Sequence, residues 1–298
     1  MTAAHEQERS AHRLSGWLVL LRPRIAVMVV LMAVLGAYLA PGDGGWGRFF
    51  EASLYVLLVT GAASVFNQVL ERETDALMPR TQHRPLVTGS ISVTAAMVYG
   101  LVMGVLGVAG MALRFNLLAA LLLVVTLVLY VAVYTPLKRV SSLNTIVGAI
   151  PGAAPPLLGY TALAGGVGPW AWSLFALLFV WQFPHFMAIA YLYRDDYAQA
   201  GHRMLADERS GPGAAGRQAL LYAIAILPVS LLPPLGRITY VVYGPGALIL
   251  GLLYLAPAVL FALKENRERA RLLMFASLLY LPAMFALIVF DHWLLLHN

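Results

Sequence analysis

The feature that most constrains this chain is a series of apolar runs, each about 18–20 residues long, that recur from one end to the other. A run of that length crosses a bilayer as an α-helix, which satisfies its own backbone hydrogen bonds in hydrocarbon. Of the 298 residues, 60% are hydrophobic and only 11% are charged, whereas about a quarter are charged in soluble domains. A very apolar soluble bundle would need shorter runs with polar faces. The sequence therefore predicts an all-α polytopic membrane protein.

Nine segments qualify as membrane spans, and we expect them to form a bundle around a central cavity. The predicted spans are residues 25–40, 51–70, 93–113, 116–134, 144–163, 169–190, 218–232, 246–263 and 272–290. The seventh is the weakest because prolines interrupt it. We expect a single transmembrane domain over residues 1–298, in which residues 1–21 are a polar cytoplasmic segment without a cleaved signal peptide.

Basic residues divide unequally between the two sets of loops. One set contains Arg9, Arg13, Arg22, Arg24, Arg72, Arg80, Arg84, Lys138, Arg139, Arg194, Arg203, Arg209, Arg217, Lys264, Arg267, Arg269 and Arg271. The other contains only Arg48, Arg114 and Arg237. This bias predicts a bacterial inner-membrane protein with its amino terminus in the cytoplasm and, after nine spans, its carboxyl terminus outside. The pI near 9.6 does not indicate nucleic acid, since the charges are dispersed. The absence of cysteine excludes disulfides and thiolate sites.

The richest polar segment is residues 67–86, at the end of the second span. Asn67, Glu71 and Asp75 follow one another at helical spacing and lie within about 80° of one another around the axis. Two carboxylates and an amide suit Mg²⁺, which completes its shell with water or phosphate oxygens. Arg80 and Arg84 follow at once and could hold those phosphates. The alternative is a solvated helix end whose charges only hold it at the interface.

A second acidic segment ends the sixth predicted span on the same face. Asp195 and Asp196 are adjacent, and adjacent carboxylates repel unless a cation or donors lie nearby. They could join the metal site of Glu71 and Asp75 or form another one. Alternatively, Asp195 pairs with Arg194 or solvent and Asp196 caps a turn.

Two further segments carry polar or aromatic side chains on this face. His185 lies one turn after Trp181 in an apolar setting, a pair that suits a flat aromatic ring or a haem iron. A buried histidine is nevertheless more often a satisfied core residue. After the fourth span, Tyr134 precedes Lys138 and Arg139, which serve either as topogenic charges or as ligands of a diphosphate.

Polar groups at the mouths of apolar helices favour an enzyme over a transporter. A transport pathway usually carries polar residues near the bilayer midplane, and the midplane segments here are apolar. Acids and cations at one interface suit a substrate with an anionic head and a long apolar tail, which describes an isoprenyl diphosphate. Metal ions and arginines would stabilise the departing diphosphate without a protein nucleophile.

The order of these segments resembles the signatures of the intramembrane aromatic prenyltransferase superfamily. Asn67-x-x-x-Glu71-x-x-x-Asp75, with Arg80 and Arg84-Pro85-Leu86, is similar to the first signature of its protohaem IX farnesyltransferase branch. The other three signatures resemble Tyr134-Thr-Pro-Leu-Lys138-Arg139, Trp181-x-x-Pro184-His185-Phe186 and Asp195-Asp196-Tyr197-x-x-Ala200-Gly201. Leu192, where relatives acting on aromatic acids carry aspartate, favours the haem branch.

The resemblance implies farnesyl diphosphate and haem B as substrates, haem O as product, Mg²⁺ as cofactor and a haem A synthase step downstream. The implied catalytic residues are Asn67, Glu71, Asp75 and Asp196, and the implied metal ligands are Glu71, Asp75, Asp195 and Asp196. The implied substrate-binding residues are Arg80, Arg84, Tyr134, Lys138, Arg139, Trp181, His185 and Asp195. The alternatives are prenylation of a quinone or chlorophyll precursor and a haem-binding transporter or assembly protein without turnover.

Overall fold

A computed structural model describes residues 16–42, 44–201, 211–239 and 241–297. Across these ranges the regular secondary structure is helical throughout. Part of the predicted polar amino-terminal segment lies outside the described residues, as do Arg9, Arg13, Arg203 and Arg209.

The long helices follow the predicted spans. They are α1 Pro23–Tyr38, α2 Gly45–Leu70, α3 Val93–Arg114, α4 Leu117–Leu137, α5 Asn144–Ala164, α6 Pro169–Leu192, α7 Ala214–Leu235, α8 Tyr243–Leu263 and α9 Arg267–His297. In α4 the segment Leu129–Tyr134 is π-helical, and α7 has a break at Leu231, after Pro228. Three short helices, Arg72–Ala76, Pro85–Thr88 and Arg194–Gln199, lie between the long ones.

The helix lengths support a multi-pass membrane protein. In the described part of the chain, α2 to α9 have 21 to 31 residues and are apolar enough to cross a bilayer. Helix α1 is shorter, with 16 residues, or about 24 Å at 1.5 Å per residue. The all-helical membrane architecture is thus confirmed, whereas the count of nine crossings and the central cavity remain predictions.

Close contact between α1 and α5 depends on glycine. A Cβ added at Gly36 would lie 1.9 Å from the carbonyl oxygen of Pro156, and one added at Gly159 would lie 1.9 Å from that of Ala33. Because apolar side chains gain little from leaving lipid, membrane helices associate through such small residues. Helix α1 also packs on α2, and α6 packs on α5, α7 and α9.

Candidate active site

Helix α2 ends at the first acidic residue of the predicted strip. The backbone at Glu71 leaves helical geometry, and the short helix Arg72–Ala76 follows. The one-turn spacing is preserved because the amide of Glu71 donates to the carbonyl of Asn67 at 2.9 Å and that of Asp75 to the carbonyl of Glu71 at 2.8 Å. Asn67, Glu71 and Asp75 are 0%, 6% and 1% exposed. The strip therefore faces the protein interior, which does not fit a solvated helix end.

Each carboxylate of the strip has a cationic partner from a different segment. Lys138, just after α4, lies 2.6 Å from Glu71 Oε1. Arg84, from the loop after α2, donates to Asp75 Oδ2. Burial raises the pKa of the Asp75 carboxyl above its ordinary value, and the charge of Arg84 opposes this effect. Such pairs tolerate burial because each charge is compensated.

Asn67 connects three helices at this end of the bundle. Its side-chain oxygen accepts a hydrogen bond from Arg22 Nη2 at 2.7 Å, and its Nδ2 donates to Thr135 Oγ1 at 3.0 Å. Thr135 Oγ1 in turn donates to the carbonyl of Tyr130, in the π-helical segment, at 2.8 Å. Arg22 has a φ of 51°, which is uncommon for a residue with a side chain. Its Nε is buried and has no hydrogen-bond partner among the described residues.

The two basic residues after α4, Lys138 and Arg139, have different surroundings. The Lys138 ammonium lies 4.5 Å from the ring centre of Tyr134, in addition to its contact with Glu71. Arg139, the next residue, is exposed. Of the two predicted phosphate ligands, Lys138 is thus the one placed beside the acidic strip.

The second acidic segment meets the first through Arg80. The Arg80 guanidinium lies 5.1 Å from the ring centre of Tyr193 and 5.8 Å from that of Tyr197. Asp195 is 72% exposed at its side chain and lies 3.6 Å from Arg194, while Asp196 is half-buried. Within the described ranges, no three acidic or histidine side chains are grouped closely enough to hold a metal ion. The metal roles of Asp195 and Asp196 therefore remain predictions.

The histidine of α6 is anchored to the last helix. Its Nδ1 lies 2.7 Å from Ser277 Oγ in α9, and its ring stacks on Trp181 with centroids 5.4 Å apart and planes 14° apart. Trp181 Nε1 donates to the carbonyl of Ser277 at 3.0 Å. Both rings are only partly buried. They present a flat aromatic surface at a fixed orientation.

Sequence reasoning had assigned no role to two residues that organise the site. Thr135 holds Asn67 and Ser277 holds His185, yet each lies 68 or 92 residues from its partner. Nothing in their local sequence distinguishes them from other helical hydroxyl residues. Arg22 enters the sequence prediction only as one of the basic residues that set the topology.

The charges of the site suit an anion. Arg22, Arg84 and Lys138 bring three positive charges against two from Glu71 and Asp75. Two carboxylates are enough for Mg²⁺ when phosphate oxygens complete its shell. The donor set therefore fits a metal-bound diphosphate better than an all-protein metal cage.

Comparison with known proteins identifies the family. The UbiA prenyltransferase family matches residues 27–279. A protein named protoheme IX farnesyltransferase from Koribacter versatilis is 43% identical over 285 residues, which cover 91% of either chain. A solved digeranylgeranylglyceryl phosphate synthase structure aligns with a TM-score of 0.78 at 16% identity, covering 94% of this chain and 99% of that one. An Archaeoglobus fulgidus UbiA homolog bound to GPP and Mg²⁺ aligns with a TM-score of 0.62 at 18% identity, covering 92% and 99%. This chain thus belongs to the UbiA prenyltransferase family.

Proposed function

We propose that this protein transfers the farnesyl group of farnesyl diphosphate to a vinyl group of haem B and so produces haem O. The buried pairing of Glu71 and Asp75 with Lys138 and Arg84 is the observation that carries the proposal, because it builds an anion site at the end of apolar helices. The name of the Koribacter relative supports haem as the acceptor.

The donor side of the reaction uses the acidic strip and its cations. Glu71 and Asp75 would hold Mg²⁺, and the chemistry that this ion would supply is neutralisation of charge on the diphosphate. Arg84 and Lys138 contact these carboxylates, and Arg22 contacts Asn67. All three would bind the remaining phosphate oxygens. Arg80 follows the first acidic segment and lies against Tyr193 and Tyr197 of the second, where it would add a further cation for the diphosphate. We propose that Asp196 adds a further carboxylate at the same end of the site.

The acceptor side uses the aromatic pair of α6. Trp181 and His185 lie nearly parallel, and the flat surface they form suits the face of a porphyrin. Because α9 fixes both rings through Ser277, little ordering of side chains is needed when haem binds.

The bond changes balance without a protein nucleophile. The bond between farnesyl C1 and oxygen breaks, and the diphosphate leaves with the electron pair. The vinyl π electrons then form the new carbon–carbon bond, which leaves a cation on the carbon attached to the porphyrin. Water adds there and loses a proton, giving a hydroxyethylfarnesyl side chain. Fixed charges aimed at the leaving group lower the barrier because they need no reorganisation during the reaction.

Mass spectrometry of the product tests the proposal. The purified protein, in lipid, is incubated with haem B, farnesyl diphosphate and Mg²⁺. We expect haem to gain the elements of farnesol and one diphosphate to be released for each haem converted. Haem recovered unchanged, while a quinone precursor is prenylated under the same conditions, would reassign the acceptor. Haem binding without any diphosphate release would instead indicate a carrier or assembly protein.

A further inference from the structure

The partners of Ser277 determine which nitrogen of His185 carries the proton. Ser277 Oγ lies 2.5 Å from the carbonyl oxygen of Met274 and 2.7 Å from His185 Nδ1. A carbonyl oxygen only accepts, and a serine hydroxyl has one proton to give. The hydroxyl proton therefore points to Met274, and Ser277 Oγ must accept a proton from His185 Nδ1.

We propose that Ser277 is a positioning residue that holds His185 in its Nδ1–H tautomer and leaves the Nε2 lone pair for the haem acceptor. In a neutral imidazole one nitrogen is a donor and the other an acceptor, and the bond made by one sets the state of the other. Histidines that contact a metal are commonly oriented in this way by a second partner. The role for the acceptor rests on the proposed function, whereas the tautomer rests on the hydrogen bonds alone.

The surroundings fix the ring as well as its proton. Ser277 is fully buried, so water does not compete for its hydroxyl. Its carbonyl holds the Trp181 indole, which stacks on the imidazole. Tyr254 in α8 donates to the carbonyl of Trp181 at 3.1 Å. Helices α8 and α9 therefore fix the indole and the imidazole of α6, and the imidazole is only partly buried.

The test is nitrogen-15 NMR of histidine-labelled full-length protein in lipid nanodiscs, since protonated and unprotonated ring nitrogens have distinct chemical shifts. The His185 signals are those lost in His185→Gln. We expect a protonated Nδ1 and an unprotonated Nε2 in the wild type and in Ser277→Thr. In Ser277→Ala the proton should redistribute toward Nε2. Ser53→Ala is the matched control, because Ser53 is buried and, among the described residues, its hydroxyl bonds to the Phe49 carbonyl within α2.

Turnover completes the experiment. We expect Ser277→Ala to lower kcat with haem B by about 10- to 100-fold, as is usual when the partner of a functional histidine is lost. Its KM for farnesyl diphosphate should not change, and Ser277→Thr should restore kcat. A protonated Nε2 in the wild type, or unchanged signals and turnover in Ser277→Ala, would overturn the proposal. Failure of the wild type to convert haem would refute the proposed function and leave the tautomer to the NMR result.

Discussion

The Asp75 carboxylate is buried and forms an ion pair with Arg84. We expect Asp75→Asn to reduce farnesyl transfer on the order of 10²-fold or more, since fixed charge at the leaving group is lost. The variant also leaves Arg84 without its carboxylate, which costs about 3 kcal/mol of stability when one member of a buried pair is removed. Product mass spectrometry and thermal unfolding measure the two effects.

Matched variants separate activity from stability at Asp75. Asp75→Asn combined with Arg84→Gln should recover much of the lost thermal stability without recovering turnover. Glu51→Gln removes a carboxylate at the opposite end of α2, where Arg114 lies 2.6 Å away, and should leave turnover unchanged. Near-normal transfer by Asp75→Asn would remove this residue from the site.

Lys138 and Arg139 are adjacent cations with different surroundings. Lys138 contacts Glu71 and Tyr134, whereas Arg139 is exposed. A hydrogen bond to a charged group is worth about 1.5–3 kcal/mol, so we expect Lys138→Gln to raise the KM for farnesyl diphosphate about tenfold or more. Arg139→Gln should change it much less. Steady-state kinetics at fixed haem concentration measures both, and a larger effect at Arg139 would contradict the arrangement.

Whether the role of a residue could be predicted depended on how far along the sequence its partner lies. The acidic strip could be found from sequence because Asn67, Glu71 and Asp75 are spaced four residues apart, a spacing that helical periodicity brings to one face. The difference between Lys138 and Arg139 could not be found from sequence, since it depends on where α4 ends relative to α2. The role of Ser277 could not be found from sequence either, because its partner His185 is on another helix and its neighbours in sequence are apolar.

At the scale of elements, the π-helical segment of α4 is linked to the site by hydrogen bonds through Thr135. Such segments often occur at functional sites. Here Thr135 satisfies the Tyr130 carbonyl and also accepts from Asn67. We expect Thr135→Val to reduce turnover about tenfold, since the buried amide of Asn67 loses a hydrogen bond worth about 1–2 kcal/mol and its orientation.

Thr126 provides the control for Thr135 within the same helix. Its hydroxyl donates only to the Leu122 carbonyl, one turn earlier, so Thr126→Val should leave kinetics unchanged. Thr135→Ser keeps the hydroxyl and should remain active. Equal kinetics for Thr135→Val and Thr126→Val would mean that Asn67 is oriented by Arg22 alone.

The helices themselves were predictable because hydropathy marks each apolar run, but their ends were less so. Helix α2 begins at Gly45 rather than at residue 51, and α9 begins at Arg267 rather than at 272. Hydropathy marks only the apolar residues, whereas the helical hydrogen bonds of the backbone continue beyond them, so these two helices are longer than the predicted spans. The break at Glu71 and the π-helical turn leave composition unchanged, so neither produces a hydropathy signal. Proline interruptions did predict the break in α7.

For the whole molecule, the number of crossings depends on α1. Its first residues lie beside the end of α2, because Arg22 contacts Asn67, and α4 ends there too, because Lys138 contacts Glu71. Helix α1 therefore starts at the site face and runs back along the bundle. Its 16 residues fall short of a ~30 Å core, and the buried residues Leu39 and Ala40 follow its end. This geometry and the charge bias favour nine crossings, with the site on the cytoplasmic side.

Reporter fusions test that orientation. A reporter after Ser141 or Gly201 should be active in the cytoplasm, because both positions follow helices that end on the site face. A reporter after Gly166, between α5 and α6, or at the end of α9 should be active outside. Each helix that crosses reverses the side, so the carboxyl-terminal reporter decides whether an odd number of the three helices after α6 cross. Cytoplasmic activity there, with the other three as expected, would mean that one or all three of the helices after α6 do not cross. A complete reversal of all four would place the diphosphate site outside the cell, against the positive-inside bias, whether all nine helices cross or α1 does not.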